Sequence, residues 1–244
     1  MELKLDLHVH SAASPDGRMS VEEIVAAARE KGLKGAAICD HDVLFRPEAG
    51  LALPEDFLLI PGEEFSTEYG HILGLFLTEP VLWTEVGELL EGIRVQGGLA
   101  VLAHPFERSA DEARLAPILP LLDGIEVWNG RANRKNPEAN AQAARFAAER
   151  GLPGFAGSDA HLPGEIGNGY VTINLPEPAG KLSPEAVKAA LLAPGNPVSG
   201  QNGRHLDVAR SQHTKLKKQR APLRARLKWV LFAAKCAAED LRRR

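Results

Sequence analysis

The sequence predicts an α/β barrel with a C-terminal helical extension, and three observations carry that expectation. Strand-like apolar runs alternate with helix-period segments, which favours a largely parallel sheet with right-handed crossovers. About seven or eight such strands over about 200 residues suit a closed barrel better than a small open sheet. Polar residues collect at the C-terminal ends of the expected strands, the rim where α/β barrels build their sites. The chain has 244 residues, enough for one large domain or for a domain of about 200 residues plus an appendage. The expected division is a barrel over 1–203 and a basic helical extension over 204–244.

Each element has its own reason. Lys4 to Val9 alternate toward His10, the following SAASPDG is turn chemistry, and Ser20 caps a helix with apolar positions Ile24, Val25 and Ala28. GAAICD is the next strand, followed by an irregular connection marked by Pro47, Gly50 and Pro54. FLLIPGEE and HILGLFL are further strands, and Val86, Leu89, Leu90 and Ile93 set a helix between Thr84 and Gln96. GLAVLAHP and DGIEVWNG are strands separated by a short helix end at ILPLL; an Ala-rich helix then runs from Pro137 to Arg150. GFAGSDAH and YVTINL complete the strands, and Ser183-Pro184 opens a helix to Leu192.

Composition narrows the class. With 44% hydrophobic and 25% charged residues, the chain is neither disordered nor collagen-like nor mainly coiled coil. Two cysteines, Cys39 and Cys236, lie far apart with no CxxC spacing, which argues against a disulfide framework or a thiolate zinc site and makes a reducing cytoplasm the simplest location. No run of about 18 apolar residues is present to span a bilayer. The net charge of -3 averages an acidic body against a tail that, from Arg204 onward, holds 13 Lys+Arg and 3 Asp+Glu.

Six of the eight histidines, His8, His10, His41, His71, His104 and His161, fall in the body beside carboxylates. His8-x-His10 on a strand places both imidazoles on one face, about 6 to 7 Å apart along the backbone. Asp40-His41-Asp42, Glu63-Glu64, His104 and Asp159-Ala160-His161 mark other strand ends. These residues with Asp16 supply more ligands than one four-coordinate ion uses, so two or three divalent ions are expected. Imidazole and carboxylate without thiolate suit Mn, Zn or Fe better than Mg or Ca.

The segments DLHVHSAASPDG, ICDHD, GEEFST followed by GHILGL, AHP, IEVWNGR and GSDAH occur in one order over residues 3–175. In that order they resemble the PHP (polymerase and histidinol phosphatase) family, specifically its small stand-alone metal-dependent phosphoesterases. The resemblance implies a distorted seven-stranded barrel with a trinuclear metal centre. It implies a first ion on His8, His10, Glu63 and Asp159, a second bridged by Glu63 and held by His71 and His104, and a third on Asp16, His41 and His161. Cys39 departs from the Thr common at that place and reads as a small buried strand residue. Asp40 and Asp42 are expected to orient imidazoles, with Glu64 doing the same or simply solvated.

The activity so implied is hydrolysis of small phosphate monoesters or nucleotides by a metal-bridging hydroxide, with Asp159 and His161 as candidates for proton transfer. Arg131 is the expected phosphate fork, since guanidinium matches phosphate oxygens, and Asn129 orients ligand or water beside it. Two alternatives stay open: a 5'-end RNA or oligonucleotide exonuclease, and a nucleic-acid-binding protein with a structural metal centre whose basic tail makes the contacts. A cyclic-amide hydrolase also begins with HxH, but it would carry a bridging Lys and one terminal Asp. The tail's stripe of Leu223, Leu227, Val230, Leu231, Ala234 and Leu241 predicts a helix.

Overall fold

The structure, a computed structural model, describes residues 1–48, 50–108, 112–176 and 182–242; the last two residues of the expected extension lie outside these. The described residues form one sheet of nine strands: β1 (Glu2–Val9), β2 (Gly35–His41), β3 (Leu58–Thr67), β4 (Gly70–Leu75), β5 (Leu99–Leu102), β6 (Gly124–Asn129), β7 (Gly154–Gly157), β8 (Gly169–Asn174) and β9 (Val198–Gly200). Their order is β7-β6-β5-β4-β3-β2-β1-β8-β9. Seven strands were expected. The difference arises because β1 serves two neighbours: residues 2–5 pair with β8, while Val9 bridges Ala160 beyond β7. His8 carbonyl accepts from Asp159 N–H and Ala160 carbonyl from His10 N–H, both at 2.8 Å. Strands β1 to β7 thus nearly close on themselves, and β8 and β9 extend the sheet from the other half of β1.

The sheet is mixed rather than largely parallel. β1-β2-β3 and β5-β6-β7 are parallel, while β4 is antiparallel to both neighbours. β3 and β4 are joined by a tight turn too short for a helical crossover, so β4 must run back. His71, at the start of β4, therefore reaches the same rim as residues at the ends of the parallel strands.

Among the described residues, seven α-helices cover the sheet and extend it: α1 (Val21–Glu30), α2 (Val86–Val95), α3 (Glu112–Leu115), α4 (Ala139–Arg150), α5 (Pro184–Leu191), α6 (His205–Lys218) and α7 (Leu223–Arg242). Ser20 caps α1 in a reciprocal box with Glu23. Ile24, Val25 and Ala28 of α1 pack on Ala36, Ile38 and Leu59. α2 and α4 bury Leu89, Ile93, Ala143 and Phe146 against Ile72, Leu102 and Ile125. The barrel interior holds Leu5, Leu7, Ala37, Cys39, Ile60, Leu73, Leu75 and Phe155. Those apolar residues form the floor on which the polar rim stands.

Candidate metal centre

The period of two along a strand decides which polar residues turn inward. In β2 the interior residues Ala37 and Cys39 put His41 on the inner face; in β4 Leu73 and Leu75 do the same for His71. In β3 the interior residue is Ile60, so Glu64 points in and Glu63 points out. The carboxylate expected at Glu63 is accordingly supplied by Glu64. Its Oε1 lies 2.8 Å from His71 Nδ1, 3.1 Å from His104 Nε2 and 3.6 Å from His8 Nε2, and its Oε2 lies 2.7 Å from His41 Nδ1 and 3.5 Å from His10 Nε2. Glu63 is instead raised to about 7 by burial and by the charge of Asp42.

Every other expected metal residue faces the same space. His8 Nε2 and His10 Nε2 stand 3.1 Å apart, His10 Nε2 is 3.3 Å from Asp159 Oδ1, and Asp16 Oδ1 is 3.2 Å from His161 Nε2 and 3.6 Å from His41 Nε2. Three groups can each converge on one point: His8 with Glu64 and His104, His8 with His10 and Asp159, and His10 with His41 and His161. Asp42, His104 and Asp159 adopt positive φ at this rim. Such backbone costs about 1 to 3 kcal/mol per residue and persists where packing enforces it. Gly157 is required beside it, because a Cβ there would stand 2.2 Å from that of His8.

The charges suit cations. Burial alone would raise the Glu64 carboxyl, but the charge of His8 and the close imidazoles of His104, His41 and His71 hold it well below the usual range. Asp159 is likewise held low against its burial, by His8, His10, His161 and Arg131. Burial and the charge of His161 keep His10 neutral. Against their burial, the surrounding carboxylates raise His8 and His41, and His104 to about 9; metal is bound by ionised carboxylates and neutral imidazoles, so ions taken up here would displace protons from those rings.

The donor set also passes a test of its own. Asp16 Oδ1, Glu64 Oε2, His71 Nδ1 and His161 Nε2 are buried, and although they lie close to one another or to neighbouring imidazoles, none meets a partner at hydrogen-bonding geometry. Leaving such a group unsatisfied costs about 1 to 3 kcal/mol, so four at one place call for a shared partner. Divalent ions fit these residues.

Support for the imidazoles comes from Glu126 on β6 and from Ser14 in the turn after β1. Glu126 Oε1 lies 3.0 Å from His8 Nδ1, its Oε2 accepts from His104 N–H at 2.9 Å, and Ser14 Oγ is 3.0 Å from His10 Nδ1. Asp40 and Asp42, expected in this role, hold loops instead. Asp40 accepts from Ser11 N–H and Oγ and from Ser14 N–H, while Asp42 accepts from Ser66 N–H and Oγ. Asp40 lies on the outer face of β2, which turns it away from the imidazoles. The IEVWN alternation put Glu126 on one face of β6, but nothing in the sequence named that face as the inner one.

The expected substrate residues are committed within the protein. Arg131 is buried and donates through Nε and Nη2 to both oxygens of Glu165, at 2.8 and 2.6 Å, and through Nη1 to Ser211 at 3.3 Å. Its fork is closed on a carboxylate rather than open to phosphate. Asn129 donates to Glu126 and Asp159 and accepts from the Arg131 and Ala132 N–H groups, so it positions the rim. Arg108, Arg134, Lys135 and Lys215 join Arg131 around a cavity of about 380 Å³ that includes His41, Glu64, His71, His104, Asp159 and His161. Arg134 Nε is buried without a hydrogen-bond partner. The run RANRK holds Arg131, Arg134 and Lys135, but only the fold shows Arg131 closed on Glu165 and Lys135 paired with Glu107 at 2.7 Å. Cys39 is buried, its thiol 3.7 Å from the Leu7 carbonyl.

Residues 6–129 match the PHP domain family and residues 137–193 match the PHP-associated family. The chain belongs to the PHP family. This PHP chain is 33% identical over 177 residues to an uncharacterised protein of Methanocaldococcus jannaschii, covering 69% of this chain and 70% of the relative. A solved two-domain protein from Bacteroides vulgatus, described as containing a predicted PHP-like metal-dependent phosphoesterase, superposes with a TM-score of 0.63 at 19% identity, over 89% of this chain and 70% of that one. Endonuclease Q bound to a 27-mer duplex with an abasic lesion superposes with a TM-score of 0.58 at 18% identity, over 84% of this chain and 62% of that one. Both superpositions show the shared fold. Among the described residues, no helix is long and apolar enough to cross a membrane.

Proposed function

We propose that this PHP protein is a metal-dependent phosphoesterase acting on small phosphate monoesters or nucleotides. The observation that carries the reading is the clustering of six imidazoles with Glu64, Asp159 and Asp16, all but His8 and His10 lining one cavity, with four of their atoms buried and without a partner at hydrogen-bonding geometry. His8, His10, Asp16, His41, Glu64, His71, His104, Asp159 and His161 would hold two or three ions of Mn, Zn or Fe. Bound there, such ions lower the pKa of water to supply a nucleophile and neutralise charge on a phosphoryl oxygen.

The chain's own residues supply the rest. The low Asp159 carboxyl is ionised at neutral pH and suits holding a cation rather than donating a proton. His161 Nδ1 lies 2.9 Å from the Asp159 carbonyl. The N–H donated there leaves the Nε2 lone pair facing the cavity, as a ligand's would. Arg134, Lys135 and Lys215 place positive charge where a phosphate ester enters. The cavity volume is that of a small-ligand pocket, which favours a monoester or nucleotide.

The test is phosphate release from a panel of nucleotides and sugar phosphates with added Mn, each compared with His8→Ala. Metal-dependent turnover lost in the variant supports the reading, and no turnover on any member removes its small-substrate form.

A second reading, nucleic-acid contact through the tail, has one observation in its favour: from Arg204 onward the chain holds 13 Lys+Arg against 3 Asp+Glu. A salt titration of binding to single-stranded RNA, with and without the residues after Gly203, separates it. A steep, tail-dependent slope supports nucleic-acid contact.

A further inference from the structure

α6 lies at the cavity mouth, where Val208, Gln212 and Lys215 line the wall. It ends at Lys218, whose ammonium donates to the carbonyls of Ala12 at 2.8 Å, Ser14 at 2.7 Å and Gly17 at 2.8 Å. An ammonium has three donors and no acceptor, so three converging carbonyls satisfy it completely. Those carbonyls belong to the turn after β1, and the same turn carries Asp16 between Ser14 and Gly17.

The turn is built for close quarters, with Ala12 N–H donating to the Met19 carbonyl at 2.8 Å and Gly17 N–H to the Ser14 carbonyl at 3.3 Å. A Cβ on Gly17 would stand 1.9 Å from the Ser11 carbonyl oxygen, so the chain must fold tightly there. Asp40 holds its beginning through Ser11 and Ser14. Beyond Ser14, the Lys218 contact fixes the carbonyls on both sides of Asp16, and Asp16 Oδ1 sits buried opposite His161 and His41. Arginine would not do the same work, since its planar fork spreads its donors instead of converging them on one point.

We propose that Lys218 is a positioning residue: from the end of α6 it fixes the turn that presents Asp16, so that the C-terminal extension completes the Asp16, His41 and His161 part of the centre. The proposal rests on the metal reading above. It also implies a reciprocal effect, because a contact that strengthens ion binding is itself strengthened by the ion. Occupancy at Asp16 then protects α6 from opening.

The experiment uses the full chain, freed of metal by chelator and titrated with Mn²⁺ by calorimetry, with metal content measured after dialysis. Lys218→Met is expected to weaken one class of ion about tenfold, the size of effect seen when a group orienting a ligand is removed. Lys217→Met, the exposed neighbour, is expected to bind as wild type. Asp16→Asn removes the same class of ion, and adding Lys218→Met to it changes nothing further. Amide exchange across α6 slows with Mn²⁺ in the wild type and not in Lys218→Met. Wild-type titration of Lys218→Met, or a loss that adds in full to that of Asp16→Asn, overturns the proposal. If Lys218→Met melts below the working temperature, Lys218→Gln is read against the same two outcomes. A wild-type chain that binds no Mn²⁺ overturns the metal reading itself, whereas normal wild-type binding with an unaffected Lys218→Met overturns only the role of Lys218.

Discussion

The barrel mouth and the outer C-terminal helix spend their residues in opposite ways. At the mouth, His8, His10 and Glu64 are buried at no more than 1% exposure, with several polar atoms left unpaired. On α7, Leu223 is 66% and Leu231 71% exposed, so the residues best suited to a core meet solvent. The mouth holds costly groups in place through packing and strained backbone, which makes sense where a ligand repays the cost. On α7, Cys236 is buried at 1% exposure, while Leu223, Leu227 and Leu231 face solvent. The contrast teaches that function in this chain is read from buried polarity, and that the charge of the tail is a weaker guide.

The largest effect should come from a group inside the network. Asp159→Asn is expected to lower metal-dependent phosphate release by more than the roughly 10 to 100-fold that follows loss of a ligand's orienting partner; steady-state assays with saturating Mn check this. Activity within a few-fold of wild type would break the contrast at its strongest point. Next comes Glu126→Gln, which leaves His8 in place but removes the carboxylate beside its Nδ1. Metal affinity should fall about 10 to 100-fold, read by titration of the apo-protein.

Much of the mouth was legible in the sequence because imidazoles at strand ends are rare and their spacing is physical. His8 and His10 share a face by the period of two, and Asp159 and His161 close the opposite side of the seam. Glu63 and Glu64 were not separable that way. Adjacent residues face opposite sides, and FLLIPG is apolar on both, so only Ile60's place in the interior selects Glu64. The same limit hid the direction of β4, the two pairings of β1 and the inward turn of Glu126. Arg131 was visible as a cation near the rim, but its partner Glu165 is distant in sequence.

Metal removal gives a smaller, global readout. Ions bound only by the folded chain at 100 times their Kd add about 2.7 kcal/mol, so chelation should lower Tm by about 5 to 10 °C in a chain of this size. Differential scanning with and without Mn measures it, and an unchanged Tm would weaken the account of the unpaired atoms. The smallest effect belongs to α7. Leu231→Ser should change stability by less than about 0.5 kcal/mol, as exposed positions outside a network do; a large loss in chemical denaturation would show that this face is covered.

The central claim is that Glu64, and not Glu63, is the carboxylate shared among the imidazoles. Metal content after dialysis against Mn²⁺, compared between Glu64→Gln and Glu63→Gln, tests it most directly. The account predicts that Glu64→Gln retains fewer ions than wild type while Glu63→Gln retains the full number. Full retention by Glu64→Gln together with loss in Glu63→Gln would contradict it.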